Sequence, residues 1–226
     1  MKYIVLVAVS TLLSYHIYSL VIRNRRDSFI RNYQFPAKVS ERVISTYPHL
    51  NDEDAKKVIT GLREYFSICN AAKLKMISMP SQVVDVAWHE FILFTREYNE
   101  FCKNGFGKFL HHTPAEAMHT ATLAQAGIKR AWHWSCKSEC INPKVARKLP
   151  LLFSIDSDLD IPDGFKYALN CSTVSGSYCA GHIGGGGGCG GGNGGGCGGD
   201  GGGGGGGGGG CGGGGGCGGG GCGGGG

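Results

Sequence analysis

Between Pro80 and Pro114 the chain reads PSQVVDVAWHEFILFTREYNEFCKNGFGKFLHHTP, a stretch that gathers several residues able to do chemistry. Asp85 and His89 lie four positions apart in an apolar-periodic segment. As a helix they share one face, with Trp88 beside them and Ile92 and Arg96 continuing the line. A carboxylate one turn from an imidazole accepts its ring N–H, which decides which nitrogen is left to bind a metal or take a proton. His111 and His112 follow in what reads as a loop pinned between two helix ends. Adjacent loop residues rarely point the same way, so one of the pair is expected inside and the other outside. Asp85, His89 and one of His111 and His112 would then hold zinc or another divalent transition metal, with Asp85 as orienter. The alternative is a buried Asp–His hydrogen bond that locks the loop to the helix.

A second cluster, His133, Cys136 and Cys140, has zinc-compatible chemistry in an H-x2-C-x3-C spacing but no fourth ligand at a familiar distance. Cys102 or Cys171 would complete it only if the fold brought them there. Otherwise Trp132 and Trp134 are core or rim aromatics and the cysteines are small reduced residues. Cys102 with His111 is a conceivable nucleophile pair, but nothing in the sequence activates the thiol. A metal-assisted hydrolase at the Asp/His site would need an open coordination position and a general base, and Glu90 projects about 100° away around the helix. Lys129, Arg130, Trp132 and Trp134 put positive charge beside stacking surfaces, as in single-strand nucleic-acid binders. A dedicated binder would show a wider basic face, so nucleic acid is not an expected partner.

These residues must be positioned by helices. Pro80 and Ser81 open a long helix expected to reach Cys102, stopped by Asn104-Gly105, with Gly107 keeping the next loop pliable. Thr113-Pro114-Ala115-Glu116 reads as a capping box whose helix ends at Gly127. Residues 129–144 form a helical or irregular piece packed on the central helix. Upstream, a helix is expected from Pro36 to Thr46, and another begins at Asn51, with Asp54 completing its cap and Val58, Leu62, Tyr65, Phe66 and Cys69 at helical spacing. Downstream, apolar runs flank Pro162-Asp163-Gly164, which implies either a small hairpin or a helix followed by a turn.

Tyr3 to Ile22 carries no charged residue and is long enough, at about 30 Å as a helix, to match a bilayer core. Arg23, Arg25 and Arg26 follow it, against a single Lys2 in front. That asymmetry, and the lack of a small-residue cleavage site, favour an uncleaved anchor over a secretory signal and keep the rest of the chain in the cytoplasm. Asp27 to Ala37 reads as a juxtamembrane linker. The formal charge of +5 is a mild bias that fits anionic surroundings without being dedicated to them. Of 226 residues, 43 are glycine, mostly after Gly184, and five of the 11 cysteines (Cys189, Cys197, Cys211, Cys217, Cys222) punctuate that tail. An odd cysteine count with irregular spacing argues against a compact disulfide framework. The tail has no apolar side chains to bury and is expected to be disordered, available as a spacer, as a thiol-rich metal or redox tether, or as a low-complexity contact for a protein partner.

The patterns VDVAWHEFILFTREYNEFC and FGKFLHHTP, with LREYFSIC, MPS and LPLLFSIDSDLDIPDGFKY around them, resemble the glycine-rich domain-containing protein family, including bacterial members that join a small helical domain to a Gly/Cys-rich tail. The matching positions are Asp85, Trp88, His89, Tyr98, Cys102, Phe106, Gly107, His111, His112 and Pro114. The resemblance implies a mainly helical domain and brings no catalytic assignment. Plant relatives carry a putative RNA-binding segment, which has no counterpart here.

The expectation is a mainly α protein: a transmembrane anchor and basic flank over 1–26, one helical domain over 27–183, and a Gly/Cys-rich tail over 184–226. Its expected role is a single-pass, membrane-anchored binding or interaction module, the alternatives being a scaffold with a flexible tether and a metal-dependent hydrolase.

Overall fold

In a computed structural model the described residues are 2–113, 121–169, 178, 179, 183 and 221–223. They form seven helices and very little strand. Helix α1 runs from Lys2 to Asn32 and its first two-thirds expose one apolar side chain after another. It is long and apolar enough to cross a membrane. The expected linker after Asp27 is instead the last turns of this helix. Ile30 is fully buried there, Phe29 packs on Phe101 at 5.8 Å between ring centroids, and Tyr33 meets Phe101 at 4.7 Å. Apolar residues hidden among the polar ones of DSFIRNYQF drive this docking, and their burial outweighs the local linker-like composition.

Helix α2 (Ala37–Thr46) buries Val39 and Val43. Helix α3 (Asp52–Ala71) starts at the expected N-cap and forms a capping box there, in which the Asn51 side chain accepts from the N–H groups of Glu53 and Asp54 while the Asp54 carboxylate accepts from the Asn51 N–H. It is the central element, packed by α1, α2, α4, α6 and α7.

The long helix expected over Ser81–Cys102 is two helices, α4 (Gln82–Ile92) and α5 (Thr95–Phe106). Phe94, at φ −80° and ψ 64°, breaks the run. No proline or glycine marks this break. It turns α5 back so that Phe91, Phe101 and Phe106 close around Phe66 in one aromatic core, with Phe66–Phe101 at 4.9 Å and Phe91–Phe101 at 5.4 Å. Gly105 stays inside α5, with Ile30 pressed against it. The stop is Gly107, whose left-handed φ of 77° lets its N–H reach the carbonyls of Cys102 and Lys103.

Helix α6 (Ala121–Ser138) passes through Gly127 instead of ending there. Gly127 serves a close approach: a Cβ at this position would lie 2.1 Å from the Ser78 hydroxyl. The helix packs on α3 and α7, not on α4 as expected. The Thr113–Glu116 capping box falls largely outside the described residues. Helix α7 (Leu151–Asp158) is followed by a turn at Pro162–Gly164, so the helix-and-turn form is the one present. Two short pairs complete the fold. Strand β1 (His111–Thr113) pairs antiparallel with β4 (Gly221–Gly223), and β2 (Tyr167–Ala168) pairs parallel with β3 (Tyr178–Cys179). Most of the tail expected to be disordered lies outside the described residues.

Candidate metal site

The site is built by α4 and β1. Asp85 is on the buried side of α4, its side chain 11% exposed, and His89 one turn later is 50% exposed. Asp85 Oδ2 lies 3.4 Å from His89 Nδ1, and Asp85 Oδ1 lies 3.1 Å from His112 Nε2. The His112 side chain is 7% exposed and its ring stands edge-on to Trp88, with centroids 4.4 Å apart, and beside His89 at 4.2 Å. One carboxylate thus touches both imidazoles, one oxygen to each.

Two further devices hold these residues in place. The buried Trp88 donates its Nε1–H to the Tyr98 hydroxyl at 3.2 Å, and that hydroxyl donates to the carbonyl of Leu110. The backbone two residues before His112 is thereby fixed to the face of α4 that carries Trp88. At the other end of α4, Ser81 caps the helix by accepting from the Val84 N–H. Asp156 from α7 backs this cap, accepting from the Ser81 hydroxyl at 2.6 Å and from the N–H groups of Gln82, Val83 and Phe165 at 2.7, 3.2 and 2.8 Å. Its carboxylate thus lies at the positive end of the α4 dipole. Burial still pushes the Asp156 carboxyl above its ordinary pKa, with the Ser81 and backbone donors pulling the other way.

The donor atoms of Asp85, His89 and His112 lie within 4.8 Å of one another, so this cluster could hold a metal ion. Ligands about 2.0–2.1 Å from one ion stand roughly 2.8–3.4 Å apart in octahedral or tetrahedral geometry, and the two Asp85 contacts, at 3.1 and 3.4 Å, fall within that range. Two imidazoles and one carboxylate are a donor set used by zinc and by non-haem iron.

The other sequence candidates fall elsewhere. His111 is exposed, its ring against Phe109 at 4.8 Å, so the His111–His112 pair divides into one outside and one inside. His133, Cys136 and Cys140 form no ligand cluster among the described residues. Cys136 is buried in α6, His133 is on the exposed face of that helix, and Cys140 lies beyond its end at φ 56°. Burial, aided by Glu139, pushes the Cys136 thiol up to about 11, which keeps it from acting as a thiolate. Cys102 and Phe106 are core residues of α5, whereas His111 is exposed. Pro114 lies outside the described residues.

The match to known protein families covers residues 25–184, from the basic flank through the whole helical domain. The chain belongs to the UCP032817-like family. No curated protein and no solved structure matches it. The UCP032817-like match includes every residue of the Asp85–His89–His112 cluster and stops where the glycine tail begins. It assigns no activity to them.

Sequence reading missed Asp156 as a positioning residue. It stands in an apolar run, LLFSID, where its phase beside Leu152, Phe153 and Ile155 marks it as a buried acid. Its partners at the start of α4, 73 to 75 positions away, have no local signature.

Proposed function

We propose that this UCP032817-like protein is a membrane-anchored module whose Asp85, His89 and His112 bind a divalent transition metal, zinc in the first instance. The observation that carries the reading is the double contact of the Asp85 carboxylate with two imidazoles, next to a half-exposed His89 that leaves the cluster reachable from solvent. The role is binding and interaction, with the metal ordering β1 against α4 as a surface for a protein partner. A hydrolytic role would need a general base among these groups, and Glu90 lies on a different face of α4.

The test is elemental analysis of the full chain purified in detergent without chelator or affinity metal, beside His89→Ala. One equivalent of zinc or iron in the wild type, and none in the variant, is the expected result. Metal-free protein in both cases would leave Asp85 and His112 as a structural clasp and overturn the proposal.

The arginines after the apolar span support a cytoplasmic domain, with α1 as an uncleaved anchor. Cys179 is disulfide-bonded in the structure, a bond the cytoplasm does not keep. The charge asymmetry and the disulfide therefore point to opposite sides of the membrane, and the charge-based assignment carries the prediction that Cys179 is reduced in cells. Labelling of domain cysteines by a membrane-impermeant thiol reagent on intact cells would contradict this.

A further inference from the structure

We propose that the cavity between α1, α3 and α6 is a binding site for the headgroup of an anionic phospholipid. The inference rests on α1 being a membrane anchor, and does not depend on the metal site. The cavity has a volume of about 260 Å³ and is lined by Arg23, Asp27, Arg31, Ser67, Trp134 and Lys137 among others. Its depth relative to a bilayer follows from the helix. The apolar span ends at Ile22 and Arg23 is the next residue. At about 1.5 Å per residue, Arg23 to Arg31 covers roughly 12 Å beyond the hydrocarbon edge. The headgroup layer on each side of a bilayer occupies the first several ångströms of that distance.

The lining has the chemistry of a phosphate site. Arg31 is engaged by two carboxylates, Asp27 at 2.8 Å and Glu64 at 3.6 Å, so this group of three adds no positive charge. Among the described residues neither Arg23 nor Lys137 makes an ion pair. Two positive charges are therefore left to face a ligand. Lys137 Nζ lies over the Trp134 ring at 5.0 Å, and an indole at this depth belongs to the interfacial belt that membrane proteins use. The independent sign of a ligand is Ser67. It is 2% exposed, it lines the cavity, and its hydroxyl has no hydrogen-bond partner. A buried hydroxyl without a partner is destabilising, and a phosphate oxygen accepting its hydrogen bond would relieve that. Two cations against one phosphodiester favour a lipid with net negative charge over a zwitterionic one.

The test is native mass spectrometry of the full chain, delipidated in detergent and offered phosphatidylglycerol or phosphatidylcholine. One retained phosphatidylglycerol per chain is expected, with phosphatidylcholine lost under the same conditions. Arg23→Gln combined with Lys137→Gln should weaken phosphatidylglycerol binding about 25-fold, from two charges each worth roughly fivefold near a membrane surface. Lys56→Gln, on the exposed face of α3, is the control and should leave binding unchanged. Quenching of Trp134 fluorescence by brominated phosphatidylglycerol, lost in Trp134→Phe, provides a second readout should the double variant misfold. Equal retention of both lipids, unchanged binding in the double variant, or displacement of the lipid by millimolar inorganic phosphate would overturn the assignment.

Discussion

His112 Nε2 lies 3.1 Å from Asp85 Oδ1, a contact across 27 residues of chain that ties strand β1 to helix α4. The same carboxylate meets His89 through its other oxygen at 3.4 Å. The two histidines have different surroundings. His112 is shielded by Trp88 and nearly buried, while His89 is half in solvent. That difference allows metal binding and structural support to be measured separately.

His89→Ala tests the separation. His89 is half-exposed and its contact with Asp85 is long at 3.4 Å, a contribution of about 0–1 kcal/mol, so the substitution should leave the metal-free melting temperature within about 3 °C of wild type. It should also abolish the rise in melting temperature that zinc gives the wild type. A large fall without metal would show His89 to be a stability element and not an open ligand. Thermal scans by circular dichroism with and without zinc decide it.

Tyr98→Phe removes the hydroxyl that joins Trp88 to the Leu110 carbonyl and leaves two buried polar groups unpaired. The expected cost is about 1–3 kcal/mol of stability. Because Leu110 anchors the backbone leading to His112, zinc affinity should also fall, by roughly tenfold or more. An unchanged zinc affinity in a destabilised variant would show that the Tyr98 link supports the core alone.

Glu64 gives a pH prediction with a definite sign. Burial raises its carboxyl pKa, a shift opposed by Ser138 and Arg31, and one of its oxygens has no partner. Above its ordinary, unfolded pKa of about 4.3, the unfolded chain loses this proton more readily than the folded one does. The folded state then holds more protons, so stability falls as pH rises through the window between the two values. Glu64→Gln lacks this fall. Its melting temperature should therefore gain on wild type as pH rises from about 4 toward neutrality, and a constant gap across that range would show that Glu64 is not penalised by burial.

Much of this arrangement was readable from local chemistry. The Asn51 cap, the helical spacing of Val58, Leu62, Tyr65 and Phe66, and the i to i+4 relation of Asp85 and His89 are determined within one or two turns. The division of His111 from His112 also follows from local geometry. What could not be read was long-range. The break at Phe94 arises because four aromatics from three helices close on one another, and no residue at the break announces it. Gly127 looked like a stop because glycine ends helices, yet here it makes room for Ser78. The H-x2-C-x3-C motif is chemically apt as a string, but helix phase buries Cys136 and turns His133 outward.

The central claim is that Asp85, His89 and His112 bind a metal as a unit. Isothermal titration calorimetry of zinc into the chelator-treated full chain, in parallel with Asp85→Asn, tests it most directly. Asparagine keeps the shape of Asp85 and removes its charge. The account predicts one saturable site in the wild type with micromolar or tighter affinity, and at least a hundredfold loss in the variant. Zinc binding of equal strength in both proteins, or no saturable binding in either, would contradict it.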